Sequence, residues 1–113
     1  MNIDEQILDN DVRKINLSGR MDLDGVAQIE KDFAGMTKAP ATKVIVDMSE
    51  VPYMSSIGIR ALLMNGKAVT GRGGKYVLMG TQADVRNVLE VSGIDKLIQI
   101  CDGLDQAIDA VTV

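Results

Sequence analysis

Three β-branched residues in succession, Val44-Ile45-Val46, constrain this chain more than any other feature of its sequence. A strand with one wet face alternates apolar and polar residues. An unbroken apolar run needs cover on both sides, as in a parallel strand with helices above and below it. Pro40 stands just before the run and interrupts whatever helix precedes it, so the run reads as a central strand.

The flanking segments supply its neighbours. Ile3 to Leu8 and Val12 to Leu17 read as short strands, and the Asp9-Asn10-Asp11 between them tolerates the backbone geometry of a tight reversal, which predicts a β-hairpin. After Gly19, Asp22 or Asp24 can cap a helix whose apolar positions Leu23, Val26, Ala27, Ile29 and Phe33 roughly follow helical periodicity as far as Gly35. Beyond the central strand, Asp47 to Met54 reads as a loop and Ser56 to Thr70 as a second helix, with Ile59, Leu62, Leu63 and Val69 near one face. Gly58 and Gly66 each weaken that helix by about 1 kcal/mol relative to Ala, which points to a close backbone approach or a flat surface. Gly71-Arg72-Gly73-Gly74 turns the chain into a further apolar strand, Lys75 to Met79, and strand-helix-strand is a parallel crossover unit. Val85, Val88 and Leu89 mark a third helix from near Thr81 to Gly93, Ile98 to Cys101 a weak last strand, and Leu104, Ala107, Ile108 and Val111 a fourth helix. The order ββαβαβαβα predicts an α/β fold: a mixed sheet of four to five strands, opened by a hairpin and packed with about four helices.

Composition narrows the chemistry. A chain of 113 residues suits a single domain spanning residues 1–113. It has one cysteine and no histidine, which removes histidine triads, histidine-bearing zinc sites and four-cysteine clusters together. A net charge of -4 disfavours nucleic acid as a partner, and one Phe, two Tyr and no Trp offer no stacking platform. No apolar run approaches the ~18 residues of a membrane span, and the acidic start differs from an export signal, so the expected location is the cytosol without membrane insertion. Gly71 to Lys75 superficially suggests a phosphate cradle, but it lacks the Gly-Lys-Ser/Thr ending and precedes a strand, which argues against nucleotide hydrolysis. Cys101 reads as a small buried hydrophobe and most methionines as core. Asp22, Asp24 and Glu50 read as solvated or capping acids, so no metal and no cofactor is expected.

The polar segment Asp47 to Arg60, DMSEVPYMSSIGIR, is the most unusual, because two serines stand between an apolar strand and an apolar helix. One reading is capping, in which a serine oxygen accepts a first-turn amide hydrogen. Another makes one serine a phosphoacceptor, since a helix N-terminus has free N–H groups and a partial positive charge for the added dianion. The two are compatible.

The run Val44 to Leu63, VIVDMSEVPYMSSIGIRALL, resembles the signature of the STAS-fold anti-sigma factor antagonists, and Gly19 to Asp22, GRMD, resembles that family's G-x-L-D stretch after the second strand. The likeness covers nearly the whole chain. By position it places the family's phosphorylated serine on Ser56, with Ser55 as second choice, and the acid of the other motif on Asp22. Arg20 and Ser55 stand where the family usually has acids, which makes the neighbourhood less negative. The resemblance implies a partner switch rather than an enzyme. The unphosphorylated protein occupies a GHKL-type anti-sigma factor and serine kinase, phosphorylation releases it, and a PP2C-type serine phosphatase resets it. The implied contact face comprises Asp22, Met21, Met54, Ser55, Ser56, Gly58, Ile59 and Arg60, the two methionines because they flank the motifs. The alternative is a constitutive structural STAS subunit of a transport or stress-sensing complex.

Overall fold

In the computed structural model, which describes residues 1–112, one five-stranded sheet runs in the order β1 (Asn2–Ile7), β2 (Arg13–Ser18), β3 (Lys43–Glu50), β4 (Lys75–Met79) and β5 (Gln99–Cys101). β1 pairs with β2 antiparallel and every other pair is parallel. The hairpin turns through one 3₁₀ turn, Asp9–Asp11, where Asn10 and Asp11 take φ of 62° and 60°, backbone that short polar side chains tolerate. Each parallel connection carries a helix: α1 (Leu23–Thr37), α2 (Ser56–Thr70) and α3 (Ala83–Val91), with α4 (Leu104–Thr112) after the last strand.

The β-branched run is covered as its sequence requires. Val44, Ile45 and Val46 are all fully buried. Val44 and Val46 face the larger core, where Ile29 and Phe33 of α1, Leu62 and Val69 of α2, and Val85 and Leu89 of α3 meet. Ile45 faces the other way, onto a smaller core of Val12, Val77, Cys101 and the α4 residues Ala107 and Val111. α4 covers only part of this second face. Toward β1 and β2 it carries a polar network instead: Lys14 Nζ pairs with Asp47 at 3.1 Å and donates to Asn16 at 2.6 Å, and Asn16 Nδ2 donates to Asp4 at 2.7 Å.

Several boundaries differ from expectation. β3 continues through Glu50, so residues 47–50 are strand and not loop; their register partners lie on β2 and β4. α1 runs past Gly35 to Thr37, whose buried hydroxyl donates to Asn65 Oδ1 at 2.6 Å, so the last turn is held from α2. α3 begins at Ala83 rather than near Thr81. It ends at Val91, short of the left-handed Gly93, and a 3₁₀ turn, Ile94–Lys96, follows. Ile98 is buried but stands outside β5.

At the far end of α1 and α2, Arg72 donates from Nη1 to the Ala68 carbonyl at 2.7 Å, and from Nη2 to the carbonyls of Thr37, at 2.6 Å, and Ala41. The glycine-rich turn after α2 thus has a structural use: it delivers a guanidinium that ties both helix ends to the loop entering β3.

Candidate functional site

The site lies where β2 and β3 leave the sheet side by side. Gly19 has φ of 105°, which only glycine adopts readily, and its amide donates to the Glu50 carbonyl at 3.0 Å. Met21 N–H donates to the Tyr53 carbonyl at 2.9 Å, and Ser55 N–H to the Met21 carbonyl at 3.1 Å. These bonds make an isolated parallel bridge, Met21 to Met54, and fasten the two exit loops into one unit.

From that unit both helices start. Asp22 is the N-cap of α1, its Oδ1 accepting from Gly25 N–H at 2.9 Å. That bond, with the Arg20 guanidinium 3.5 Å from Oδ2, holds the Asp22 carboxyl below its ordinary range. Arg20 also lies over the Tyr53 ring, 4.1 Å from its centroid, so the cation is shared between a carboxylate and an aromatic face. Ser55 is the N-cap of α2, yet the capping expectation fails. Its side chain accepts no first-turn amide and instead donates to the Met21 carbonyl at 3.2 Å. The hydroxyl therefore bonds the neighbouring loop rather than its own helix. Ser56, the first residue of α2, is exposed.

Burial divides the expected contact face. Met21 and Met54 are 0% and 3% exposed, and Gly58 is buried as well. These three are corrected from surface to support. The reason is a close approach: a Cβ on Gly58 would lie 2.8 Å from Cγ of both methionines and 2.9 Å from the Met21 carbonyl oxygen. Gly66 has a parallel role beneath the Tyr76 ring, whose hydroxyl donates to the Leu62 carbonyl at 3.0 Å. Ile59 is half-buried and packs on the larger core, whereas Arg60 is exposed. The accessible face consists of Ser56, Arg60, Arg20, part of Asp22, Tyr53 and Leu23.

Sequence reasoning noted Arg20 only as a departure from a pattern and passed over Tyr53 and Leu23 as surface. An aromatic next to the serine pair was the available signal. It also passed over an open groove of about 850 Å³ between α1 and α2, whose near end is lined by Leu23, Ile57 and Arg60. Among the described residues no three acids or cysteines converge as a cation site, so Asp22, Asp24 and Glu50 stay apart. The buried Cys101 thiol is pushed up by burial and by Asp102, the opposite of an activated nucleophile. No described helix is long and apolar enough to cross a membrane.

Known proteins share this architecture. BtrV of Bordetella bronchiseptica, which carries the name of an anti-sigma factor antagonist, is 27% identical over 91 residues, 80% of this chain and 78% of its own length. A STAS domain protein of Planctomyces limnophilus superposes with a TM-score of 0.85 at 21% identity, covering 96% of this chain and 95% of the other. The anti-sigma factor antagonist SpoIIAA in its unphosphorylated form gives 0.78 at 21% identity, with 96% and 94% covered. The family model of the STAS domain matches residues 4–107, and the chain belongs to that family.

Proposed function

We propose that this chain is an anti-sigma factor antagonist that works by partner switching on Ser56. Unphosphorylated, it occupies a GHKL-type anti-sigma factor and serine kinase through the face around Ser56, Arg60, Asp22 and Tyr53. Phosphorylation of Ser56 releases it, and a PP2C-type phosphatase restores it. The names of its relatives support the antagonist part of this reading. The observation that carries the switch is the contrast between the two serines. Ser56 is exposed at the first position of α2, while the half-buried Ser55 spends its hydroxyl on the Met21 carbonyl.

The physical chemistry suits a mark that changes binding without unfolding. A phosphate adds about -1.5 to -2 charge, and the first turn of a helix tolerates it because its N–H groups point outward and carry partial positive charge. The fold is already braced there by the loop-to-loop bonds. A docked partner has no such tolerance: a mispaired charge trapped in an interface commonly costs about 2 to 5 kcal/mol. Converting mostly bound into mostly free takes about 5.5 kcal/mol, so lost fit adds to repulsion.

The test is incubation with ATP and a GHKL-type serine kinase of the same organism, reading mass and complex formation for wild type, Ser56→Ala and Ser55→Ala. The expected result is one phosphate on wild type and Ser55→Ala, none on Ser56→Ala, and release of the phosphorylated forms only. A chain that gains no phosphate and stays bound is a constitutive subunit, and the proposal fails.

A further inference from the structure

The groove between α1 and α2 is larger than the Ser56 switch requires. The helices run side by side for 15 residues each, about 22 Å, with their far ends tied by Arg72. Ala27 and Ala34 on one helix and Ala61 and Ala68 on the other recess the floor, while Leu23 and Met64 stand at the edges, 66% and 61% exposed. Leu23 and Met64 thus offer apolar contact along the edges of the trough.

Charge identifies the occupant. In a chain of net charge -4, the groove is lined by Lys31, Lys38, Arg60 and Arg72 against a single acid, Glu30. Arg72 is committed to backbone carbonyls, but Lys31, Lys38 and Arg60 join no ion pair among the described residues. Those three cations are spread along the length: Arg60 in the first turns of α2, Lys31 midway along α1, Lys38 just past its end. An anion with one headgroup needs cations at one end only. A distributed row suits an elongated ligand with acids at intervals, and a helix about 10–12 Å across fits between two others.

We propose that the α1–α2 groove is the docking site for an acidic amphipathic helix of the partner protein, with its apolar stripe against Leu23, Ala27, Ile57 and Met64 and its acids toward Lys31, Lys38 and Arg60. The inference rests on the reading of Ser56 as the switch and supplies its lever. Ile57 and Arg60, next to Ser56 and one turn beyond it, both line the groove. A phosphate on Ser56 therefore sets a dianion at the mouth through which an acidic helix enters, and at i, i+4 it can also draw Arg60 away.

The test uses the full chain and the same GHKL-type kinase, reading dissociation constants at two salt concentrations. Lys31→Glu with Lys38→Glu, and separately Ala34→Trp, alter exposed residues away from Ser56. Each is expected to weaken the unphosphorylated complex at least tenfold with the melting temperature kept, and the charge reversal to flatten the salt dependence. If both bind like wild type while Ser56→Asp is released, the groove is not the docking site although the switch survives. If they are weakened while Ser56→Asp stays bound, the groove stands and the phosphorylation reading falls. No binding by wild type overturns both. A photo-crosslinker in place of Met64 is expected to capture an acidic helical segment of the kinase; capture of a basic or extended segment overturns the proposed occupant.

Discussion

Gly58 decides how closely α2 can approach the two exit loops. A methyl group there meets two methionine side chains and a carbonyl oxygen inside 3 Å, and the carbonyl cannot step aside because it already accepts from both the amide and the hydroxyl of Ser55. Gly58→Ala, which ordinarily favours a helix, is therefore expected to destabilise by about 1–3 kcal/mol, read as a lower urea midpoint with unchanged slope. Acidity gives a second prediction. Asp22 is held below its ordinary 3.8 chiefly by Gly25 N–H. At Asp47 burial pushes the other way, but the Ser49 amide and hydroxyl and the Lys14 ammonium outweigh it, and its carboxyl too is lowered. A carboxyl lowered in the folded chain contributes stability above its unfolded pKa and loses it as the pH falls through the folded one. Melting temperature should drop as the pH goes below 3.8, and Asp22→Asn with Asp47→Asn should flatten that drop; an unaltered acid limb would place the responsible groups elsewhere.

Elements were legible where one local signal ruled. The β-branched run, the Asp-Asn-Asp turn and the helical spacing of Val85 and Leu89 named their structures, because burial on both faces, left-handed backbone and amphipathicity are written in residues close together. The boundaries that shifted are those set from a distance. Thr37 stays helical through Asn65, which is 28 residues away, and residues 47–50 remain strand because β2 and β4 lie beside them. The site shows the same division. Ser56 at a helix start could be placed from its pattern, whereas the burial of Met21 and Met54 depends on two loops meeting across the sheet, which no spacing records. Arg72 belongs to this scale as well. Three carbonyls from two helices and a loop converge on one guanidinium, so Arg72→Met should lower stability by about 1–3 kcal/mol, with hydrogen exchange accelerating at residues 34–41 and 66–71. Arg72→Lys should recover little of it, since a single ammonium cannot reproduce the fork. Exchange that stays uniform across both helix ends would show the clamp to be dispensable.

For the molecule as a whole, the two faces of the sheet are unequally defended. Three helices cover one, while Val12, Ile45, Val77 and Cys101 on the other depend on Ala107 and Val111 of a single short helix. A chain ended at Gly103 should consequently lose cooperative melting and associate through the bared strip, visible as a larger species on size exclusion; a monomer that still melts sharply would mean that α4 is an accessory. The opposite arrangement holds at the switch end, where hydrogen bonds from Gly19, Met21 and Ser55 make two connections behave as one part. Transplanting the serine-bearing turn onto a foreign scaffold would then demand a second graft: without residues 19–25 travelling beside it, the turn would lack the floor that gives it shape.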